Sequence, residues 1–258
     1  MNRTFLVIFL FHISLASVAC LPLINVESQP VASEIPTATN TPIPTKVWFP
    51  PTATYTPLPA SSRLITPTIE TNTNYSSKIF SDNFTDPKNW ELGTFADGII
   101  AIGNNELTLA VKKERGYLFS IREQTNLSDF YAEISARPSI CRGEDEYGFL
   151  FRYSSPGDFY RFSITCNGQY RIDRLFEGQA SSPQPFTISG SIPPGAPSES
   201  RIAVIARGKE MQFFINDEHL TSISDPTLGN GNIGVFVRAA GEDDVTVSYS
   251  NLDVYEID

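Results

Sequence analysis

The sequence predicts an all-β fold, an antiparallel two-sheet jelly-roll sandwich carried behind a signal peptide and a disordered Pro/Thr-rich stalk. Three observations predict it. From residue 80 onward, apolar and polar residues alternate in short runs. Turn-forming residues separate those runs, and no apolar stripe of useful length has the 3.6-residue period of a helix. Regular strand spacing without helices implies two packed antiparallel layers with few exposed edges.

The leader comes first. Asn2 and Arg3 form a small polar start, and residues 5–18 are almost unbroken apolar sequence. A spanning helix needs about 20 apolar residues, so residues 1–19 are expected to be an export signal. Ser17, Val18 and Ala19 supply small residues before Cys20. This junction resembles a bacterial lipobox, which implies acylation of Cys20. A lipobox usually carries Leu three residues before the cysteine, where this chain has Ser17, with Leu15 two residues earlier. The alternative is an ordinary secretory cut after Ala19. The chain is expected at the cell surface or the outer face of the cytoplasmic membrane through a lipid on Cys20, or else secreted.

Residues 20–78 hold ten prolines and eleven threonines. Proline removes backbone donors and favours extended polyproline II, and isolated apolar residues without a period build no core. The segment is expected to be a semi-rigid stalk of at most about 3.1 Å per residue.

Residues 79–258 are long enough for one domain with a sizeable core. The stalk is neutral and the leader contributes only Arg3, which leaves 15 basic and 26 acidic residues in the domain, a net charge of −11. Nucleic acid is not an expected partner on this ground, because phosphate binding needs a cationic surface. Anionic headgroups are not expected either, leaving a lipid anchor as the expected membrane contact. With Cys20 lipidated or terminal, Cys141 and Cys166 remain as a pair, and exported chains oxidise such pairs. Metal binding by two cysteines without histidine spacing is the weaker alternative. His12 lies in the leader and His219 beside a turn, so neither a zinc site nor a Ser-His-Asp triad has sequence support.

The strands follow in order. Residues 105–111 (Asn-Glu-Leu-Thr-Leu-Ala-Val) and 130–136 have the period-2 pattern of half-buried strands. Residues 147–153 and 159–166 flank Ser154-Ser155-Pro156-Gly157-Asp158, a hairpin loop in composition. Asn167-Gly168 tolerates positive φ and turns the chain into residues 170–176. Residues 201–207 and 210–215 flank Gly208-Lys209, and Asn216-Asp217 leads into residues 219–223. Residues 232–238 and 245–257 complete the set.

Several phrases carry a resemblance. They are Phe80-Ser81-Asp82-Asn83-Phe84 with Asp86 and Trp90; Tyr147-Gly148-Phe149-Leu150-Phe151-Arg152; and Asp158-Phe159-Tyr160-Arg161-Phe162. Phe214-Ile215-Asn216-Asp217, Gly231-Asn232-Ile233-Gly234 and the closing run from Val247 to Val254 continue it. In order and spacing, residues 79–258 resemble the concanavalin A-like lectin/glucanase superfamily. The most similar members are laminin-G-like jelly rolls and the domain family named after 3-keto-disaccharide hydrolases. The resemblance implies two curved sheets whose concave face receives carbohydrate, although a shared fold does not transfer function.

Candidate chemistry is sparse. Glycoside hydrolysis needs two carboxylates flanking the bond. Family 16 glucanases place Glu-x-Asp-x-x-Glu along one strand, a pattern missing here. The densest acidic run, Glu144-Asp145-Glu146, follows Arg142-Gly143 and is expected to be a solvated loop. A structural calcium ion is a further expectation, with Asp82 and Asp253 as ligands and Asp86, Asp243 and Asp244 as additional carboxylates. Turn-capping aspartates are the alternative. Strict alternation puts Tyr147, Phe149, Phe151 and Tyr153 on one face, with Gly148, Leu150 and Arg152 on the other. The resemblance places the arginine ending this strand on the concave side. Arg152, Tyr160, Tyr170 and Arg174 are therefore the candidate ligand face. The aromatic residues have core filling as their alternative. The expected function is a non-catalytic, surface-displayed, monomeric module for a glycan or another extracellular ligand. A saccharide hydrolase and a structural or protein-interaction module of the envelope are the two alternatives.

Overall fold

The computed structural model describes residues 75–242 and 244–257. The leader, Cys20 and most of the stalk lie outside the described residues. In chain order the strands are β1 (Tyr75–Asp82), β2 (Gly93–Phe95), β3 (Gly98–Gly103), β4 (Glu106–Val111), β5 (Tyr117–Leu127), β6 (Phe130–Ile140), β7 (Glu146–Ser155) and β8 (Asp158–Thr165). They continue as β9 (Gln169–Phe176), β10 (Gln179–Ile188), β11 (Ser200–Arg207), β12 (Glu210–Ile215), β13 (Glu218–Ser224), β14 (Gly231–Arg238) and β15 (Val245–Ile257). A 3-10 turn at Pro87–Asn89, capped by the Asp86 carboxylate, is the helical element among the described residues. The first strand starts at Tyr75, inside the stretch assigned to the stalk by composition.

The strands form two antiparallel sheets. One has nine strands in the order β13-β12-β11-β6-β15-β4-β3-β2, with β1 also on β15; the other has six, β10-β9-β8-β7-β14-β5. The thirteen residues of β15 explain the extra branch. Its first half pairs with β4, as Val245 with Val111, and its second half pairs with β1, as Val254 with Phe80. Asn251, at φ 52°, takes up the irregularity between the halves.

The core lies between the sheets. Leu107, Leu109 and Val111 of β4 alternate inward, as the sequence pattern requires, and meet Phe149, Phe151, Phe162, Phe213 and Val235. Burial of such side chains is worth about 1.5–3 kcal/mol each. A buried hydroxyl bridges the layer at its centre. The buried Tyr249 hydroxyl of β15 donates to the Phe236 carbonyl at 2.7 Å and accepts the Gly148 N–H at 3.1 Å. Burial pushes its pKa well above the ordinary tyrosine value, so it remains a donor. Position 148 has no room for a side chain, since a Cβ there would lie 2.0 Å from the Phe162 carbonyl oxygen.

A disulfide joins Cys141, directly after β6, to Cys166, directly after β8, with the Cα atoms 5.9 Å apart. It links the two sheets, as the pairing of cysteines anticipated. Replacing both by serine should lower the unfolding free energy by roughly 3 kcal/mol, the value for a loop of 25 residues. Urea titration of the oxidised protein and the double variant checks this; coincident midpoints would contradict it.

Candidate functional site

The inner face of the six-stranded sheet is core, and its outer face carries a groove. Arg152 divides them. Its backbone adopts φ 48°, and the register of β7 against both neighbours shifts on either side of it. The shift reverses the alternation. Arg152 turns inward and is 0% exposed, whereas Tyr153 joins Leu150 on the outer face. Buried charge requires compensation. The Arg152 guanidinium donates to three backbone carbonyls, those of Leu228 (2.8 Å), Ser128 (3.0 Å) and Gly208 (2.7 Å). Asp129 lies 3.9 Å away.

This corrects the expected ligand face. Tyr160 is 0% exposed, and its hydroxyl contacts the Asp225 carbonyl and the Leu228 N–H, both at 3.4 Å. Burial pushes its pKa up to about 12. Tyr170 is buried and donates to the Leu220 carbonyl at 3.2 Å. Arg174 pairs with Asp225 at 2.7 Å and also donates to Thr227. The four residues do come together, but around the chain's own residues 220–228, so no ligand is needed to account for them.

The calcium expectation is corrected as well. The Asp82 carboxylate accepts from the Phe84 N–H (2.9 Å), the Trp90 indole (3.0 Å) and Arg122 Nε (3.0 Å). Asp253 accepts from Lys78 at 2.9 Å and from Ser81. Oxygens committed to cationic and N–H donors do not suit a metal ion. Asp86 caps the 3-10 turn and Asp244 pairs with Lys112. Asp243 lies outside the described residues. No cluster of three potential ligands occurs among the described residues.

The acidic run is not a solvated loop either. Asp145 and Glu146 are buried. Asp145 accepts the Ala240 N–H at 2.9 Å, and Glu146 opens β7 facing outward beneath two arginines.

The outer face holds a groove of about 250 Å³, lined by Tyr117 and Phe119 of β5, Leu150 and Tyr153 of β7, and Phe159 and Arg161 of β8. Pro156, Leu175 and Arg238 complete the lining. Its floor is a ribbon of rings. Phe159 stacks on Tyr153 with centroids 5.7 Å apart, Tyr153 meets Phe119 at 6.1 Å, Phe119 meets Tyr117 at 5.8 Å and Tyr117 meets Phe236 at 5.8 Å. Gly148 and Gly234, both facing outward, leave the floor low; a Cβ at 148 would meet the Phe236 ring at 3.2 Å. A second cavity of about 330 Å³ shares Tyr117 and Phe119 and adds Glu91, Phe95 and Asp97.

A charge network closes one side of the ribbon. Arg161 of β8 lies directly opposite Asp173 of β9 and donates to it through Nε (3.1 Å) and Nη2 (2.6 Å). Arg171 joins Asp173 at 3.0 Å to Glu146 at 3.0 Å, and Arg238 pairs with the other Glu146 oxygen. Ser182 donates to Asp173 at 2.6 Å. Glu146 is 1% exposed and Asp173 3%. Sequence reasoning missed these residues, although the alternation Arg161, Arg171-x-Asp173 and Arg238 on neighbouring strands was the available signal.

No family model and no curated protein matches the sequence. Solved structures match the fold. The carbohydrate binding module CBM66 from Bacillus subtilis is 14% identical, with a TM-score of 0.50, over 65% of this chain and 96% of that one. A protein of unknown function with galectin-like fold from Bacillus subtilis is 13% identical, with a TM-score of 0.56, over 72% of this chain and 98% of that one. The catalytic domain of an endo-1,3-beta-glucanase (laminarinase) from Thermotoga petrophila RKU-1 is 10% identical, with a TM-score of 0.50, over 70% and 98%. At such identity the likeness concerns the fold alone, a two-sheet antiparallel jelly roll consistent with the concanavalin A-like resemblance.

Arg152→Ala should destabilise the domain by at least about 3 kcal/mol, because three buried carbonyls lose their donor and a cavity replaces the side chain. Thermal unfolding checks it; a variant melting with the parent would show that the guanidinium contributes nothing net.

Proposed function

We propose that the domain is a non-catalytic binding module that takes a carbohydrate in the outer-face groove. The ring ribbon carries this reading. Partly exposed Tyr117, Phe119 and Tyr153 stand side by side over a shallow floor, and ring faces offer a sugar ring apolar contact with little loss of conformational freedom. The fold is compatible, since its solved neighbours include a carbohydrate binding module and a glucanase catalytic domain.

Hydrolysis is the weaker reading. None of the groove's lining residues is a carboxylate. The nearest acids beneath it, Glu146 and Asp173, are buried and held by arginines, so neither can flank a glycosidic bond as acid or nucleophile. In the adjoining cavity Asp97 is committed to Lys113 (2.7 Å) and the Tyr117 N–H (3.0 Å), which hold its pKa below the usual carboxylate range.

The module is further proposed to be exported and held at the membrane by a lipid on Cys20. Support comes from the apolar leader, the small residues before Cys20 and the Pro/Thr-rich stalk.

Two experiments follow from this reading. A glycan array probed with the full chain should return saccharide ligands, and Phe119→Ala and Tyr153→Ala should each weaken them roughly tenfold, about 1.4 kcal/mol. A blank array at millimolar concentration removes the binding reading, and release of reducing ends from a bound glycan removes the non-catalytic one. Separately, Cys20→Ser should move the protein from the membrane fraction to the medium; unchanged membrane association would exclude the lipid.

A further inference from the structure

Resting on the groove as a saccharide site, we infer that its preferred ligand is an acidic saccharide whose carboxylate docks against Arg161 and Arg238, with the rest of the glycan running across Phe119, Tyr153 and Phe159.

Charge is the first reason. The domain is strongly anionic, yet the charged side chains lining the groove are two arginines. The network beneath them contains Arg161, Arg171 and Arg238 against Glu146 and Asp173, an excess of one positive charge. The two carboxylates are buried below the groove, so what meets a ligand is the cationic side of each pair. A site with surplus positive charge beside apolar rings favours an anion more strongly than the same charges in bulk water.

Unused donors are the second reason. Arg161 spends Nε and Nη2 on Asp173, and its guanidinium lies beside the Tyr117 hydroxyl. Arg238 gives Nη1 to Glu146, keeps Nε and Nη2 without an acceptor among the described residues, and its side chain remains 42% exposed. Tyr117 adds a third donor. Its hydroxyl is buried beside the Arg161 guanidinium and lacks a hydrogen bond of good geometry. Burial pushes its pKa up to about 12, so the proton is retained for donation. A buried hydroxyl without a partner is unfavourable, and a ligand oxygen accepting from it would relieve that. Guanidinium forks match the planar geometry of a carboxylate.

The opposite sign lies on the far side of Tyr117 and Phe119, where Glu91 and Asp97 border the adjoining cavity, Asp97 paired with Lys113. A ligand anion is therefore drawn toward Arg161 and Arg238, and its neutral rings fall over Phe119 and Tyr153.

The test titrates the full chain with polygalacturonate, alginate and glucuronan oligosaccharides, each against its methyl ester, which keeps the ring and removes the charge. For at least one pair the acid should bind tenfold or more tightly than the ester. Arg238→Gln should reduce that ratio below threefold, and Tyr117→Phe, which keeps the ring, should weaken the acid two- to fivefold. Arg201→Gln, at an exposed ion pair on the other sheet, should leave the ratio unchanged. Esters that match or exceed their acids overturn the inference, as does an acid preference that Arg238→Gln leaves intact. If no uronide binds but a neutral glycan does, the acidic preference fails and the binding module stands; if nothing binds, both fall.

Discussion

The backbone at Arg152 is the constraint on which both halves of the six-stranded sheet depend. A non-glycine residue at φ 48° is conformationally costly, of order 1 kcal/mol or more. Here the cost is offset by what the bulge places on each side. Inward, a guanidinium ties three separate chain segments, at Ser128, Gly208 and Leu228, to the end of β7. Outward, the shifted register delivers Tyr153 to the groove beside Phe159. Without the extra residue, Tyr153 would enter the core and Arg152 would stand among the groove's rings. The same local irregularity thus fixes the loops at one end of the sandwich and completes the aromatic floor.

The two faces of the sheet solve different problems with similar residues. Inside, Phe151, Tyr160 and Phe213 fill volume, and their polar atoms are spent on the protein itself. Outside, Tyr117, Phe119 and Tyr153 are only partly covered, and the polar groups are organised in pairs whose acidic members are buried. Such a network is expensive to desolvate and is weak support for stability. Its physical consequence is positional: arginines gripped from below by Asp173 and Glu146 cannot collapse onto the floor, so their remaining donors are held in place before a ligand arrives.

Much of this was legible in the sequence, and what was not has identifiable causes. The inward Leu107, Leu109 and Val111 followed from alternation, as did the hairpins around residues 154–158 and 167–168, because period 2 and turn chemistry act locally. The cysteine pair was legible for a compositional reason. Five strands were not. β1 begins inside the Pro/Thr-rich stretch read as stalk. β5 carries the polar run Arg122-Glu123-Gln124-Thr125-Asn126, and β10 holds Pro183 and Pro185 as an edge strand with an exposed pattern. β2 has three exposed residues, and β3 opens on Gly98, whose Cβ would strike the Ala110 carbonyl. The site failed for a different reason. Alternation predicts faces only while the register is unbroken, and the bulge at Arg152 is set by tertiary contacts to three distant carbonyls, which no local pattern encodes. The calcium reading failed similarly, since Asp82 and Asp253 found their donors at Arg122 and Lys78 far along the chain.

The buried acids also separate this groove from a hydrolytic one. A catalytic carboxylate must change protonation or attack, so it needs open approach and a pKa free to move. Glu146 and Asp173 lack that open approach, because each is enclosed and shared between guanidinium groups. Opening such a pair to do chemistry would expose an arginine–carboxylate network whose members are each other's solvation. The arrangement favours a ligand that supplies the missing negative charge without asking the protein to give up a proton, which is the behaviour of a binding surface.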